Sequence, residues 1–220
     1  MPRILTEIDV ADFRDRLCEA AAGIFAERGL SHFNMRDLAD RLGISAMTPY
    51  RYFKNKEEIF AAVRARAFSR FADHLETACA TPGSAVEKSA AVGHAYVQFA
   101  LQEQTCYRLM FDLSQPHGEI VPELTLQEQR ARATMTEHVR LLIDEGIFEG
   151  DAELIGQVLW SALHGVMVLH LAGKLRDPDF SKVLAETMRV LSYAYRSTSV
   201  PAAHEIAAAM ERPSQAARSN

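Results

Sequence analysis

Seven consecutive residues, Tyr50 to Lys56, hold two tyrosines, one arginine and two lysines. Phenolic hydroxyls donate hydrogen bonds to phosphate oxygens, and lysine ammonium groups serve there as flexible point charges. A guanidinium takes either a phosphate or a guanine edge in the bidentate way. Thr48, Tyr50, Arg51, Tyr52, Lys54 and Lys56 therefore carry the chemistry of a polyanion contact. Ala46 and Met47, just before them, are small or apolar and suit groove entry and a thymine methyl. Lys56 also lies close to the start of the next helix, whose dipole attracts anions. Phe53 has none of this chemistry and is expected in the core.

The positive bias is local. The 220-residue chain has a formal net charge of -5. Residues 36 to 56 hold five basic groups, Arg36 among them, against two acidic ones, whereas residues 76 to 220 carry a balance of -6. An acidic protein that concentrates its basic groups on one segment is built to meet a polyanion there and something else elsewhere. Three widely spaced cysteines and no CxxC pair point to a reducing compartment, and acids interrupt any leader-like apolar run near the N-terminus, so a cytoplasmic location is expected.

Helical spacing dominates the elements that must position these residues. Leu17, Ala21, Ile24, Phe25 and Arg28 recur at three and four, and Gly29 follows as a stop. Asn34 is placed to cap a second short helix, MRDLADRL, that ends at Gly43. Ser45 is placed to cap a third, ending near Phe53, with Pro49 making its start irregular. Two short helices joined by a tight glycine turn form the helix-turn-helix pattern. A longer helix follows from about Lys56 to Pro82-Gly83. Further helices are expected at about 85–104, 105–113, 123–147, 151–174 and 179–197, with a loop over Ser114–Glu123. The domains expected are a DNA-binding head over 1–55, a connecting helix over 56–81, a ligand-binding and dimerisation domain over 82–197, and a flexible tail over 198–220. The fold class is all-α.

Residues 154 to 173 contain no formal charge and are long enough to span a bilayer. Gln157, Ser161, His164 and His170 would be costly facing lipid, so a buried helix is the preferred reading. A helix apolar on every face buries one face in its own domain and another against a partner. No metal site is expected, because His164 and His170 lie on different helix faces and no HExxH occurs. No cofactor is expected, because neither a phosphate loop nor a dinucleotide fingerprint is present, and no catalytic constellation appears.

The run MRDLADRLGISAMTPYRYFKNKEEIF resembles the DNA-binding domain of TetR-type bacterial transcriptional regulators, over roughly residues 10 to 60. Ala39 with Gly43-Ile44-Ser45, then Tyr50-Arg51-Tyr52-Phe53, then Lys54-Asn55-Lys56-Glu57-Glu58 carry the resemblance. It implies that Asn34, Ser45, Ala46, Thr48, Tyr50, Tyr52 and Lys56 face DNA. The chain departs from the family at Ala46, where a basic or polar residue is common, and at Pro49, where an aliphatic one is. Trp160 to Gly165 is similar to a Trp-x-x-x-His-Gly signature in one subgroup of C-terminal domains. The resemblance further implies a homodimer through the last two long helices on a near-palindromic operator. It also implies repression relieved by a small molecule in a pocket of the C-terminal domain, for which Tyr96, Phe99, Tyr107, Met110, Phe111, Trp160, His164 and Met167 are the candidate lining, with His164 as its polar group. The rival readings are an all-α enzyme or small-molecule carrier without specific DNA binding, and a protein tethered to a membrane by residues 154 to 173.

Overall fold

The computed structural model describes residues 7–111 and 121–197. Most of the loop expected over Ser114–Glu123 and the tail expected over 198–220 lie outside the described residues. Among those described there are eight α-helices and no strand, only an isolated bridge between Phe148 and Arg196. The helices are α1 (Glu7–Arg28), α2 (Met35–Leu42), α3 (Lys56–Cys79), α4 (Ala85–Gln102), α5 (Gln104–Met110), α6 (Pro122–Asp144), α7 (Ala152–Leu171) and α8 (Asp179–Ala194). They group into two compact units. The first runs up to Arg70 and takes in Glu103 to Gln129; the second holds Phe71 to Gln102 and the described residues from Arg130 onward.

In the first unit, α2 is short because both of its ends are chemically closed. Asn34 Oδ1 accepts hydrogen bonds from the backbone N–H of Arg36 at 3.0 Å and of Asp37 at 2.9 Å, satisfying two of the donors a helix start leaves open. At the other end Gly43 sits in the left-handed region at φ 64°, and Ile44 N–H returns to Ala39 O at 3.0 Å. Only glycine adopts that backbone without strain, so the chain turns sharply there. The apolar side of α2, Met35, Leu38 and Ala39, is buried against α1, and Phe25 stacks between Phe33 and Phe60 with ring centroids 4.4 and 5.0 Å away. Burying each such side chain stabilises the fold by roughly 1.5–3 kcal/mol.

The third helix expected from Ser45 to Phe53 is not an α-helix. Residues 46–48 form turns and Pro49–Arg51 is a single 3-10 turn. Pro49 has no N–H to give to the Ser45 carbonyl, which accepts from Thr48 N–H at 2.8 Å instead; Arg51 then bonds to Thr48 O and Tyr52 to Pro49 O, all at three-residue spacing.

In the second unit, Phe71 meets Tyr96 and Phe99 edge-on at 5.3 and 5.2 Å, and Arg130 binds Glu76 and Asp73. Asp151 caps α7 through the N–H groups of Glu153 and Leu154. Ile155, Leu159, Leu163 and Val166 form its buried stripe, and α8 packs beside it with Phe180 and Met188 buried. Glycine at 156 is demanded by geometry: a Cβ there would lie 2.8 Å from the carbonyl oxygen of Met135 on α6. By length and apolarity α7 is capable of crossing a membrane, and a third of its most apolar window is buried within the chain.

His138 on α6 is buried in this unit. Its Nδ1 is 3.0 Å from Ser89 Oγ, while Nε2 is buried with no hydrogen-bond partner. Desolvation pushes its pKa down to about 4.

Two outcomes follow. Gly156→Ala should destabilise the protein by roughly 1–3 kcal/mol through overpacking against backbone, whereas Gly165→Ala, whose Cβ meets nothing within 4 Å, should cost the monomer nothing; urea midpoints compare the two. For His138, both folded and unfolded chains are neutral above about pH 6.5, where stability is full. As pH falls toward 4 the unfolded chain gains a proton that the folded chain refuses, and stability drops by up to about 1.4 kcal/mol per pH unit. Thermal unfolding between pH 7 and 4.5 should therefore be steeper in the wild type than in His138→Phe.

Candidate functional site

The segment from Ser45 to Lys56 is held from beneath and open above. Pro49 and Phe53 are buried, and Arg14 of α1 clamps the segment by donating from Nη1 to Tyr52 O at 2.7 Å while its guanidinium lies 4.2 Å from the Phe53 ring centroid. Phe13 packs on the Tyr52 ring at 4.9 Å, leaving Tyr52 half-buried. At the far end Lys54 N–H donates to the Glu58 carboxylate, and Glu58 N–H donates to Asn55 Oδ1, which closes the start of α3.

The other face carries the expected contact residues. Ser45, Ala46, Met47, Tyr50, Arg51 and Lys54 are exposed, Met47 at 69% and Tyr50 at 50% despite their apolar bulk. Thr48 and Lys56 are half-buried. Asn34 and Arg36 are exposed at the start of α2, with the Asn34 oxygen engaged in the cap and its Nδ2 bonded to Asp37 at 2.9 Å. Short loops and caps thus present hydroxyls, ammonium groups and a guanidinium from a scaffold that is rigid on its inner side, an arrangement suited to phosphate oxygens and base edges. Sequence reasoning missed Arg14. Its distance of 38 residues from Tyr52 leaves no local signal.

The eight pocket candidates do not form one set. Tyr107, Met110 and Phe111 belong to the first unit; Tyr107 and Met110 are buried, and Phe111 lies edge-on to Tyr107 at 5.1 Å and to Phe68 at 5.9 Å. Tyr96, Phe99 and Met167 are fully buried in the second unit. Trp160 is half-buried, as is His164, whose imidazole burial pushes toward its neutral form. None of the eight lines the small cavity of about 30 Å³ in the second unit, whose walls include Ser89, Met135, His138, Leu163 and Met188. Met135, His138 and Leu142 recur at three and four along α6, so a histidine on an otherwise apolar inward stripe was the available signal; its pairing with Ser89, 49 residues away, was not. The first unit has an open cleft of about 390 Å³ between Phe25 and Ala26 of α1 and Thr105 and Leu109 of α5. Among the described residues no three histidine, cysteine or acidic side chains gather as a metal site would require.

Comparison with known proteins bears on both units. Residues 17–63 match the model for bacterial regulatory proteins of the tetR family, and residues 89–191 match that for the tetracyclin repressor-like C-terminal domain. The transcriptional activator FasR of Mycolicibacterium smegmatis is 29% identical over 99 residues, 45% of each chain. The chain thus spans less than half the length of that relative. The transcriptional repressor KstR2 of Mycobacterium tuberculosis is 29% identical over 150 residues, 64% of this chain and 72% of its own. A solved structure of a Rhodococcus protein of unknown function superposes with a TM-score of 0.72 at 23% identity, over 84% of this chain and 95% of that one. With one family model on the helix-turn-helix head, another on the helices behind it and the two together spanning more than half of the sequence, the chain belongs to the TetR family of transcriptional regulators.

Proposed function

We propose that the protein is a homodimeric repressor that binds a near-palindromic operator and leaves it when a small molecule enters the C-terminal unit. The observation that carries this reading is the exposed row of Ser45, Ala46, Met47, Tyr50, Arg51 and Lys54 above a buried Pro49 and Phe53. An exposed methionine and tyrosine flanked by basic groups are out of place on an inert surface. They fit a head in which Tyr50, Lys54 and Lys56 take phosphates and residues 46 to 48 enter the major groove, with Arg51 on a phosphate or a guanine.

The dimer uses α7 and α8. Leu154, Val168 and Leu169 of α7 are exposed, as are Val183, Val190 and Tyr193 of α8. Val183, Val190 and Tyr193 fall at helical spacing on one side of α8, opposite the buried Met188. Two copies of this helix pair form a four-helix interface that covers both apolar strips. Such a regulator performs no catalysis and works in the cytoplasm, where its operator is.

The test is fluorescence anisotropy with labelled fragments from upstream of the protein's own gene, in excess random DNA and at several salt concentrations. Binding should outlast the competitor at two protomers per site, or a multiple, with a steep salt slope. Lys56→Ala should weaken all DNA binding and lower the salt slope by about one. Tyr50→Phe should weaken it roughly fivefold with the slope unchanged, as the loss of one neutral hydrogen bond requires. Equal binding by either variant removes that residue from the phosphate contact. Val190→Glu, at an exposed position, should leave the fold intact and yield monomers by light scattering; a persistent dimer would place the interface elsewhere.

A further inference from the structure

We infer that the cavity beside His138 is the effector site, and that it takes a neutral, hydrocarbon-rich molecule bearing one hydroxyl or carbonyl oxygen, which hydrogen-bonds to His138 Nε2. The inference rests on the effector-response reading above and adds the place and the chemical class.

The lining sets the class. Among the described residues no lysine, arginine, aspartate or glutamate faces the cavity. A carboxylate, phosphate or ammonium group entering it would leave water without a counter-charge, which disfavours charged ligands strongly. His138 does not supply that charge, because burial holds it neutral at physiological pH. The wall is built from leucines, valines, two methionines, Ala90, Gly93 and Phe148, and its polar groups are two serine hydroxyls and one imidazole. One ring nitrogen is taken up by Ser89 at 3.0 Å, and the other is buried and unpaired. A buried polar atom of this kind is destabilising until it is paired, so a ligand oxygen placed on it gains affinity from that pairing. If Nδ1 is bonded as acceptor, Nε2 donates to a carbonyl or hydroxyl oxygen; if Nδ1 donates to Ser89, Nε2 accepts from a hydroxyl. A hydroxyl suits both tautomers.

The size sets how it opens. About 30 Å³ accommodates a water-sized group, whereas a six-membered ring needs roughly 150 Å³. The wall best able to give way is Met135 and Met188, each buried and each an unbranched side chain with three rotatable bonds. Met188 sits on α8 and the neighbouring Leu163 on α7. Dilation therefore pushes on the two helices that carry the exposed apolar strips, which links the ligand to the dimer.

The probe is cyclohexanol, compared with methylcyclohexane, cyclohexanecarboxylate and cyclohexylammonium, added at millimolar concentrations to the DNA-free full-length protein at pH 7.5. The readout is the unfolding temperature. Cyclohexanol should raise it saturably, with a dissociation constant at least about tenfold lower than that of methylcyclohexane, and the charged analogues should leave it unchanged. His138→Phe should weaken cyclohexanol about tenfold while leaving methylcyclohexane unaffected. Ala90→Val, which fills the cavity while keeping His138, should abolish both shifts, and serves if the histidine variant does not fold. No saturable shift with cyclohexanol, an equal or larger one with the carboxylate, or undiminished binding by Ala90→Val would overturn the assignment. So would a crystal structure of the cyclohexanol-soaked protein with a water, and no probe, on Nε2. Because DNA is absent throughout, failure here leaves operator binding standing, and failure of operator binding leaves this measurement valid.

Discussion

A segment as short as Ser45 to Phe53 does not hold its own shape. Once Pro49 removes an N–H, the backbone closes mainly on three-residue bonds, with one four-residue bond from Phe53 N–H to Pro49 O, fewer and poorer than an α-helical ladder. Its conformation depends on what lies under it. Phe53 and Pro49 are sunk into the core, and Arg14 holds the Tyr52 carbonyl from α1. The geometry of the exposed face of this segment is thus inherited from α1 and from the aromatic packing around Phe25. This explains why a family head tolerates a proline where an aliphatic residue is common. The proline gives up a hydrogen bond, but its ring is buried, and its fixed φ suits the first position of a 3-10 turn.

The second unit solves a different problem. Its helices approach closely at Gly156, where α7 passes the Met135 carbonyl with no room for a side chain. Three residues along α6, His138 carries a polar ring into the same interior. Close packing and a half-satisfied imidazole are hard to reconcile with stability alone, since a leucine at 138 would avoid the desolvation penalty. A core that keeps such a group, next to two methionines and a small void, gives up stability where a ligand is able to restore it.

Much of this was legible in the sequence. Asn34 and Gly43 marked the ends of α2, because caps are local chemistry, and the helices of the second block fell within a few residues of their expected bounds. The cluster of hydroxyls and basic groups between Ser45 and Lys54 was legible too, since such clustering needs no tertiary information; the structure adds that six of its residues are exposed. The third helix was the error. Ser45 and the apolar spacing favoured an α-helix, and the loss of one donor at Pro49 prevailed, with Phe53 anchored by long-range contacts. The cavity beside His138 was not legible. Residue type pointed to the aromatics, of which Tyr96 and Phe99 pack against Phe71, while the groups around that cavity are small or ordinary and meet only in three dimensions.

Helix α7 shows why composition alone misleads. A twenty-residue apolar helix meets the length test for a membrane span, yet its apolar residues serve three separate ends. Ile155 and Leu159 fill the interior, Leu163 borders the cavity, and Leu154, Val168 and Leu169 stay uncovered in the single chain. Asp151 and Glu153 cap its N-terminal end with charge, and Gln157 and Ser161 interrupt the outer side, where Ser161 bonds back to the Gln157 carbonyl at 2.7 Å. Lipid would meet those polar groups at no profit, whereas a second protein surface can pair them or leave them at a wet rim. The uncovered residues continue onto α8 through Val183, Val190 and Tyr193, and α8 also carries Glu186 and Arg189, paired at 2.6 Å on its surface. An ion pair among exposed apolar groups is costly in a bilayer, so the exposed strips of α7 and α8 fit the dimer interface proposed above, with α7 at its apolar centre.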